Sequence, residues 1–183
     1  MIYFTSDWHI GHDKDFIYKA RGFSSIEEHD TAILERCNEI VQPEDELWIL
    51  GDLALNNENE TEWDRVYTNL YCRRIWFLVG NHETDKRMDK YEFDYGFNYG
   101  GFVDIFKYNK HKQFYLSHYP TMVDNYNEKD RFFWNLSGHT HSKEKFHPEY
   151  KIYNVAVDAH NCYPVSIEDV IKDIYKHREE THG

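Results

Sequence analysis

The chain has 183 residues, enough for one globular domain and too few for two ordinary ones, and its 40% hydrophobic and 30% charged residues suit a packed core. Acidic residues outnumber basic ones 33 to 21, a formal charge of −12, which argues against affinity built on a long run of nucleic-acid phosphates and equally against docking on an anionic membrane. No apolar run approaches the roughly 18 residues of a spanning helix, and no basic stretch precedes an apolar one at the N-terminus, so neither a membrane span nor a signal peptide is expected.

Residues 2–6 open the chain as a strand. Ser24 and Ser25, followed three residues later by Glu27 and Glu28, signal the start of a helix over about 26–41, with Ile26, Ile33, Leu34, Cys37, Ile40 and Val41 on one face. Pro43 ends it, and a strand over 46–50 closes on Gly51-Asp52. Trp63, Val66, Tyr67, Leu70 and Tyr71 have the spacing of a second amphipathic helix, and a strand over 75–79 closes on Gly80-Asn81-His82. Strands are then expected over 102–108, 113–116, 132–136 and 152–157, before a last helix carried by Ile167, Val170, Ile171, Ile174 and Tyr175 and capped by Ser166. The polar segments 84–101, 121–131 and 142–151 read as loops. Strand and helix alternating first, then mainly strand, predicts an α/β fold: two mixed β-sheets packed as a sandwich flanked by helices, in one domain spanning 1–183. Cys37, Cys72 and Cys162 cannot all pair and form no Cys-x-x-Cys, which suits a reducing, cytoplasmic setting.

Twelve histidines are more than packing requires, and no run of them suggests a tag. Metal-ligand residue types end five of the expected strands: Asp7-Trp8-His9, Gly51-Asp52, Gly80-Asn81-His82, Ser117-His118 and Gly138-His139-Thr140-His141. Ligands gather beyond the carboxyl ends of strands in such sheets, so five strand ends can deliver side chains to one crevice. Asp7 with His9, and His139 with His141, are spaced two apart, which in extended chain puts both members on one side. Singly, each motif reads as readily as a cap or turn. Together, at five strand ends, they point to a metal centre.

In this order the motifs resemble the signature of the calcineurin-like metallophosphoesterases: Asp7-x-His9, Gly51-Asp52, Gly80-Asn81-His82-Glu83, His118 and Gly138-His139-x-His141. Thr5-Ser6-Asp7-Trp8-His9-Ile10-Gly11-His12, Arg21-x-Phe23-Ser24-Ser25, Asn154-Val155-x-Val157-Asp158 and Pro164-Val165-Ser166 look like the small single-domain bacterial and phage branch. Ser117 stands where many members have Gly, and removes no ligand. The resemblance implies two metals, the first held by Asp7, His9 and His141, the second by Asn81, His118 and His139, with Asp52 bridging both. A set mixing imidazole, carboxylate and amide oxygen suits two divalent transition metals, Mn²⁺ before Fe, Zn²⁺, Co²⁺ or Ni²⁺, better than Mg²⁺ or Ca²⁺. In-line attack by a hydroxide bridging the pair would then cleave a phosphate ester.

The resemblance also casts His82, adjacent to a ligand but not one itself, as the acid that protonates the departing oxygen, a role imidazole suits because it exchanges protons near neutral pH. Glu83 is expected to orient His82 or a ligand histidine, or to be an exposed loop carboxylate. His12 is a candidate to touch substrate or shield the metal pair, with a capping or surface role as the alternative; Arg21 is a candidate phosphate contact, with a structural salt bridge as its default reading. Tyr119, Arg131 and the run 132–134 are candidates to line a nucleobase pocket, though most of that run reads as core strand. His111, His147, His160, His177 and His182 fit no motif. A phosphomonoester is largely a dianion near neutrality and a diester a monoanion. On an acidic chain the two metals alone can balance the diester, with Arg21, Lys86 and Arg87 as the cations a monoester would require. The expected activity is therefore a phosphodiesterase on small or nucleotide-like esters, with no stable nucleic-acid partner and no membrane. The alternatives are a phosphomonoesterase, a nuclease, or a catalytically silent scaffold on the same fold.

Overall fold

The computed structural model describes residues 1–55, 60–123, 132–147 and 150–182, with side chains to residue 180. In the first sheet β1 (Ile2–Thr5), β2 (Glu46–Ile49), β3 (Arg74–Phe77) and β4 (Asn98–Tyr99) run parallel, and β9 (Val165–Ser166) pairs antiparallel with β1, giving the order β4-β3-β2-β1-β9. Successive strand residues point to opposite faces. Leu47 and Ile49 therefore lie beside Ile75 and Phe77 on one face, while Trp48 stacks on Trp76 on the other, ring centroids 5.1 Å apart. The first face is covered by α2 (Ile26–Ile40) and α3 (Glu60–Thr68), whose Ile33, Leu34, Cys37, Trp63, Val66 and Tyr67 join those strand residues in one apolar core. Each such side chain contributes roughly 1.5–3 kcal/mol by its burial.

The second sheet has the order β5-β6-β7-β8. Here β5 (Val103–Lys107) is antiparallel to β6 (Lys112–Ser117), which continues parallel into β7 (Phe132–Ser137) and β8 (Ile152–Asn154). Phe114, Leu116, Trp134 and Leu136 pack with Phe4, Trp48 and Leu50 of the first sheet, and Phe106 meets Phe4 edge-on at 5.4 Å. The last helix, α5 (Ile167–His182), closes this second core with Ile167, Val170 and Ile174. The two mixed sheets and flanking helices are the architecture that the residue pattern predicts. The caps also stand as read: Ser25 Oγ accepts the Glu28 N–H at 3.3 Å and Ser166 Oγ that of Asp169 at 3.1 Å.

Segment 84–101 is not the loop its polarity suggests. It forms α4 (Asp85–Asp89), a π-helical turn (Lys90–Asp94) and β4, because the Thr84 side chain caps α4 and Tyr91 and Phe97 are buried in the first core with Met88 against it. α1 (Asp15–Tyr18) was likewise not expected. The second helix ends at Thr68 rather than near Tyr71, since Thr68 Oγ1 and Asn69 Nδ2 donate back to the carbonyls of Asp64 and Arg65; Tyr71 is left exposed. The expected loops 121–131 and 142–151 fall partly outside the described residues, as do Arg131 and the side chain of His182. No helix among the described residues is long and apolar enough to cross a membrane, and the three cysteines are buried and unpaired.

His160 has a structural role. Its Nε2–H donates to the Asn154 carbonyl at 2.8 Å, and burial pushes its imidazole from 6.5 down to about 4. The unfolded chain binds this proton below pH 6.5 while the folded one refuses it until about 4, so His160 makes stability fall as pH drops through that window. Melts of chelator-treated protein should show His160→Gln losing less stability than wild type between pH 6.5 and 4, by at most about 1.4 kcal/mol per pH unit. Parallel curves would remove His160 as a contributor.

Candidate metal centre

The carboxyl ends of β1, β2, β3, β6 and β7 converge. Asp7 N–H donates to the Gly51 carbonyl at 3.1 Å and His9 N–H to that of Asp52 at 3.0 Å, while Ser6 bridges to Ala156 beyond β8 and joins the two sheets at this end. Asp7, His9, Asp52, His139 and His141 all have left-handed backbone, with φ of 59°, 53°, 55°, 70° and 49°. The expectation that the paired motifs share a side through extended chain is thus corrected: left-handed kinks, not strand pleat, aim these side chains. Such conformations cost of order 1–3 kcal/mol each and persist where the surroundings enforce them, typically at functional sites.

Two sets of donor atoms result. In the first, His9 Nε2 and His141 Nε2 are 3.1 Å apart, and Asp7 Oδ1 lies 3.9 and 3.8 Å from them. In the second, Asn81 Oδ1 is 2.9 Å from both His118 Nε2 and His139 Nδ1, which are 3.2 Å from each other. Asp52 Oδ2 stands between the sets, 3.7 Å from His9 Nε2 and 3.5 Å from His118 Nε2.

The chemistry of these atoms fits cations. Asp7 is fully buried; its Oδ2 accepts from Ser6 Oγ at 2.5 Å and His139 N–H at 2.9 Å, but its Oδ1, facing the first set, has no hydrogen-bond partner. An unpaired buried carboxylate oxygen is expensive, and burial raises the Asp7 carboxyl above its usual range. Burial, followed by the Arg21 charge, keeps His9 neutral, and burial with neighbouring His118 lowers His139, so both present lone pairs. His118 Nδ1 donates to the Leu50 carbonyl at 2.9 Å, which leaves Nε2 as its acceptor. Gly80 and Gly138 keep the donors close: a Cβ at Gly138 would meet Ser6 Oγ at 2.0 Å and Asp7 Oδ2 at 2.1 Å, and one at Gly80 would meet Asp52 Oδ1 at 2.2 Å.

Sequence reasoning named a structural salt bridge for Arg21 but not its partner or what the pair supports. His141 Nδ1 lies 3.1 Å from Asp158 Oδ2, whose carboxylate is gripped by Arg21 through Nε and Nη2 at 2.9 and 2.8 Å. Burial works against the Asp158 charge, yet His141 and Arg21 hold its carboxyl well below the usual range. Arg21 also donates to the Asp7 and Trp8 carbonyls and meets His29, which leads to Asp30 and through it to Gly11 N–H. With its side chain only 2% exposed, Arg21 braces the ligand loops from behind and does not face a substrate. Asp158 was legible in the Asn154-Val155-x-Val157-Asp158 motif; His29 and Asp30 carried no signal beyond an apolar helix face interrupted by two polar residues.

His82 sits at the mouth. Its N–H donates to Asp52 Oδ1 at 3.0 Å, its Nε2 lies 3.9 Å from Asp52 Oδ2, and its side chain is 37% exposed. Glu83 does not orient His82: its oxygens accept the backbone N–H groups of Asp52, Leu53 and Gly80, tying two ligand loops together, and burial beside Asp52 lifts its carboxyl to about 7. His12 is largely buried, 3.3 Å from His9 through their Nδ1 atoms, with Phe16 edge-on at 5.6 Å. Across the crevice the half-exposed Tyr119 ring packs on His139 at 4.7 Å. Lys86 pairs with Glu60, and the buried Arg87 donates to the His82 carbonyl.

A comparison of the whole chain agrees with this geometry. The profile described as calcineurin-like phosphoesterase matches residues 1–176. An uncharacterized protein of Methanocaldococcus jannaschii is 31% identical over 96% of this chain and 92% of its own length. The gene 66 protein of Mycobacterium phage L5 is 25% identical over 99% of this chain and 97% of its own. The crystal structure of a protein of unknown function from Aquifex aeolicus is similar with a TM-score of 0.67 at 26% identity, over 94% of this chain and 98% of that one. With the motifs in order, Asp and His groups placed to bind metal and a match along nearly its whole length, the chain belongs to the calcineurin-like phosphoesterase family, whose members are metal-dependent phosphoester hydrolases.

Proposed function

We propose that the protein is a two-metal phosphodiesterase acting on small or nucleotide-like esters. The observation that carries the two-metal reading is the placement of Asp52 Oδ2 between two complete donor sets, 3.7 Å from one and 3.5 Å from the other. Asp7, His9 and His141 hold the first ion, Asn81, His118 and His139 the second, and Asp52 both. Imidazole-rich sets of this kind favour Mn²⁺ or another transition ion over Mg²⁺. When bound, the ions supply an acidified water as nucleophile and cationic charge for the phosphoryl oxygens. The chain does the rest. Asp158 and the Leu50 carbonyl fix the rings of His141 and His118. Glu83 fixes the Asp52 loop, and Asp52 in turn positions the His82 backbone. The His82 imidazole, partly exposed above Asp52, delivers its proton to the departing ester oxygen.

Charge within the crevice favours the diester. Arg21, Lys86 and Arg87, the cations a monoester dianion would call on, are engaged with Asp158, Glu60 and the His82 carbonyl. Exposed aromatic rings on both sides of the crevice, Phe16 at 69% and Tyr119 at 50%, offer stacking faces for a substituent on either side of phosphorus. Three buried, unpaired cysteines suit the reducing cytoplasmic setting. The test is kcat/KM for bis(p-nitrophenyl) phosphate against p-nitrophenyl phosphate at equal Mn²⁺ loading. The diester should be preferred by at least about tenfold, a difference of 1.4 kcal/mol. A preference for the monoester would overturn the diester reading, and efficient cutting of polynucleotides would favour a nuclease.

A further inference from the structure

We propose that a cleft beside the metal centre, bordered by Asp158, is a subsite for a second anionic group of the substrate, a phosphate carried apart from the ester that is cut. Its place in catalysis rests on the phosphodiesterase reading; its anion binding does not. The cleft has a volume of about 380 Å³, and its walls include Arg21, Arg36, Lys143, Asp158, Asn161 and Cys162. Asp158 neutralises Arg21, but Arg36 and Lys143 form no ion pair among the described residues, so the cleft is cationic on a chain of net charge −12. That local excess is what an anion would be drawn to.

The cations are placed, not merely present. Arg36 is held by the Asn161 carbonyl at 2.8 Å and lies over the rings of Phe23 and Tyr163, 5.4 and 5.5 Å from their centroids. A guanidinium fixed in this way loses little further freedom when it binds, and its fork of N–H groups matches a phosphate. Lys143 follows the ligand His141 by two residues, a proximity that the charge argument from sequence overlooked.

Backbone strain marks the same wall. Seven non-glycine residues have left-handed φ among the described ones; five are donors of the metal centre, and the other two are Asn161 and Cys162 at 51° and 62°. Two consecutive strained residues outside the centre, in the wall of a cationic cleft beside it, extend the functional site into the cleft. Asp158 links the cleft to the centre: its Oδ2 lies 2.8 Å from Arg21 Nη2 and 3.1 Å from His141 Nδ1.

Pyrophosphate serves as the probe, titrated calorimetrically into the full-length chain after chelator treatment and dialysis, at low ionic strength and pH 7.5, so that no metal contributes. Wild type should bind one equivalent. Lys143→Glu should weaken binding at least about tenfold, since it reverses a charge facing the anion, whereas Lys172→Glu, an exposed change of equal charge on α5, should not. Absence of saturable binding to wild type, or equal affinity in wild type and Lys143→Glu, would overturn the subsite. The phosphodiesterase reading fails separately, through absent turnover of bis(p-nitrophenyl) phosphate by the metal-loaded enzyme.

Discussion

Asp52→Ala is expected to leave a folded protein that no longer retains two metals and has lost at least about 10³-fold in phosphoester turnover. The reasoning is geometric. Asp52 Oδ2 stands between both candidate donor sets, so its removal would take a ligand from each proposed ion and the charge that would offset their mutual repulsion. The fold should survive. The carboxylate is almost fully buried, and relieving a crowded pair of buried acids does not of itself destabilise the metal-free chain. Elemental analysis, turnover and a thermal melt of the metal-free variant separate these effects, with Asp52→Asn as the isosteric control. An Asp52→Ala protein that retains two equivalents and turns over within tenfold of wild type would remove the bridging role.

His82→Ala should behave oppositely: metals and fold kept, turnover lowered by about 10²–10⁴-fold for esters with poor leaving groups. His82 lies outside the two donor sets assigned to the ions, its Nε2 3.9 Å from Asp52 Oδ2 with the ring partly in solvent, where a leaving oxygen can reach it. A nitrophenolate departs with little need of a proton, so its hydrolysis should suffer far less. The diagnostic is a steeper dependence of log kcat on leaving-group pKa in the variant than in wild type. Equal losses across all leaving groups would mean that His82 acts otherwise than as the acid.

The reach of the sequence differs between the donors and their supports. The residues that the structure gathers into the two candidate donor sets were legible because metal chemistry restricts residue type and strand ends restrict position: Asp7, Asp52, Asn81, His118 and His139 each follow a strand that hydrophobic patterning had located. The way these side chains are aimed was not legible. Left-handed φ at Asp7 and His9 is enforced by bonds to Gly51 and Asp52, more than 40 residues away, and no local propensity encodes it. Arg21 shows the same limit. It read as a phosphate clamp or a structural salt bridge; the structure shows the salt bridge, whose partner Asp158, 137 residues on, no local pattern could name, and the pair is spent holding His141. The segment 84–101 was misread because Met88, Tyr91 and Phe97 are sparse anchors in a polar stretch, too few to set a visible period.

The most direct measurement is a titration of chelator-treated protein with Mn²⁺, following bound metal and bis(p-nitrophenyl) phosphate hydrolysis in the same samples. Activity that rises with bound metal and saturates at two equivalents per chain is the result the two donor sets predict. Saturation at one equivalent, or metal binding without hydrolysis, would contradict a two-metal phosphoesterase.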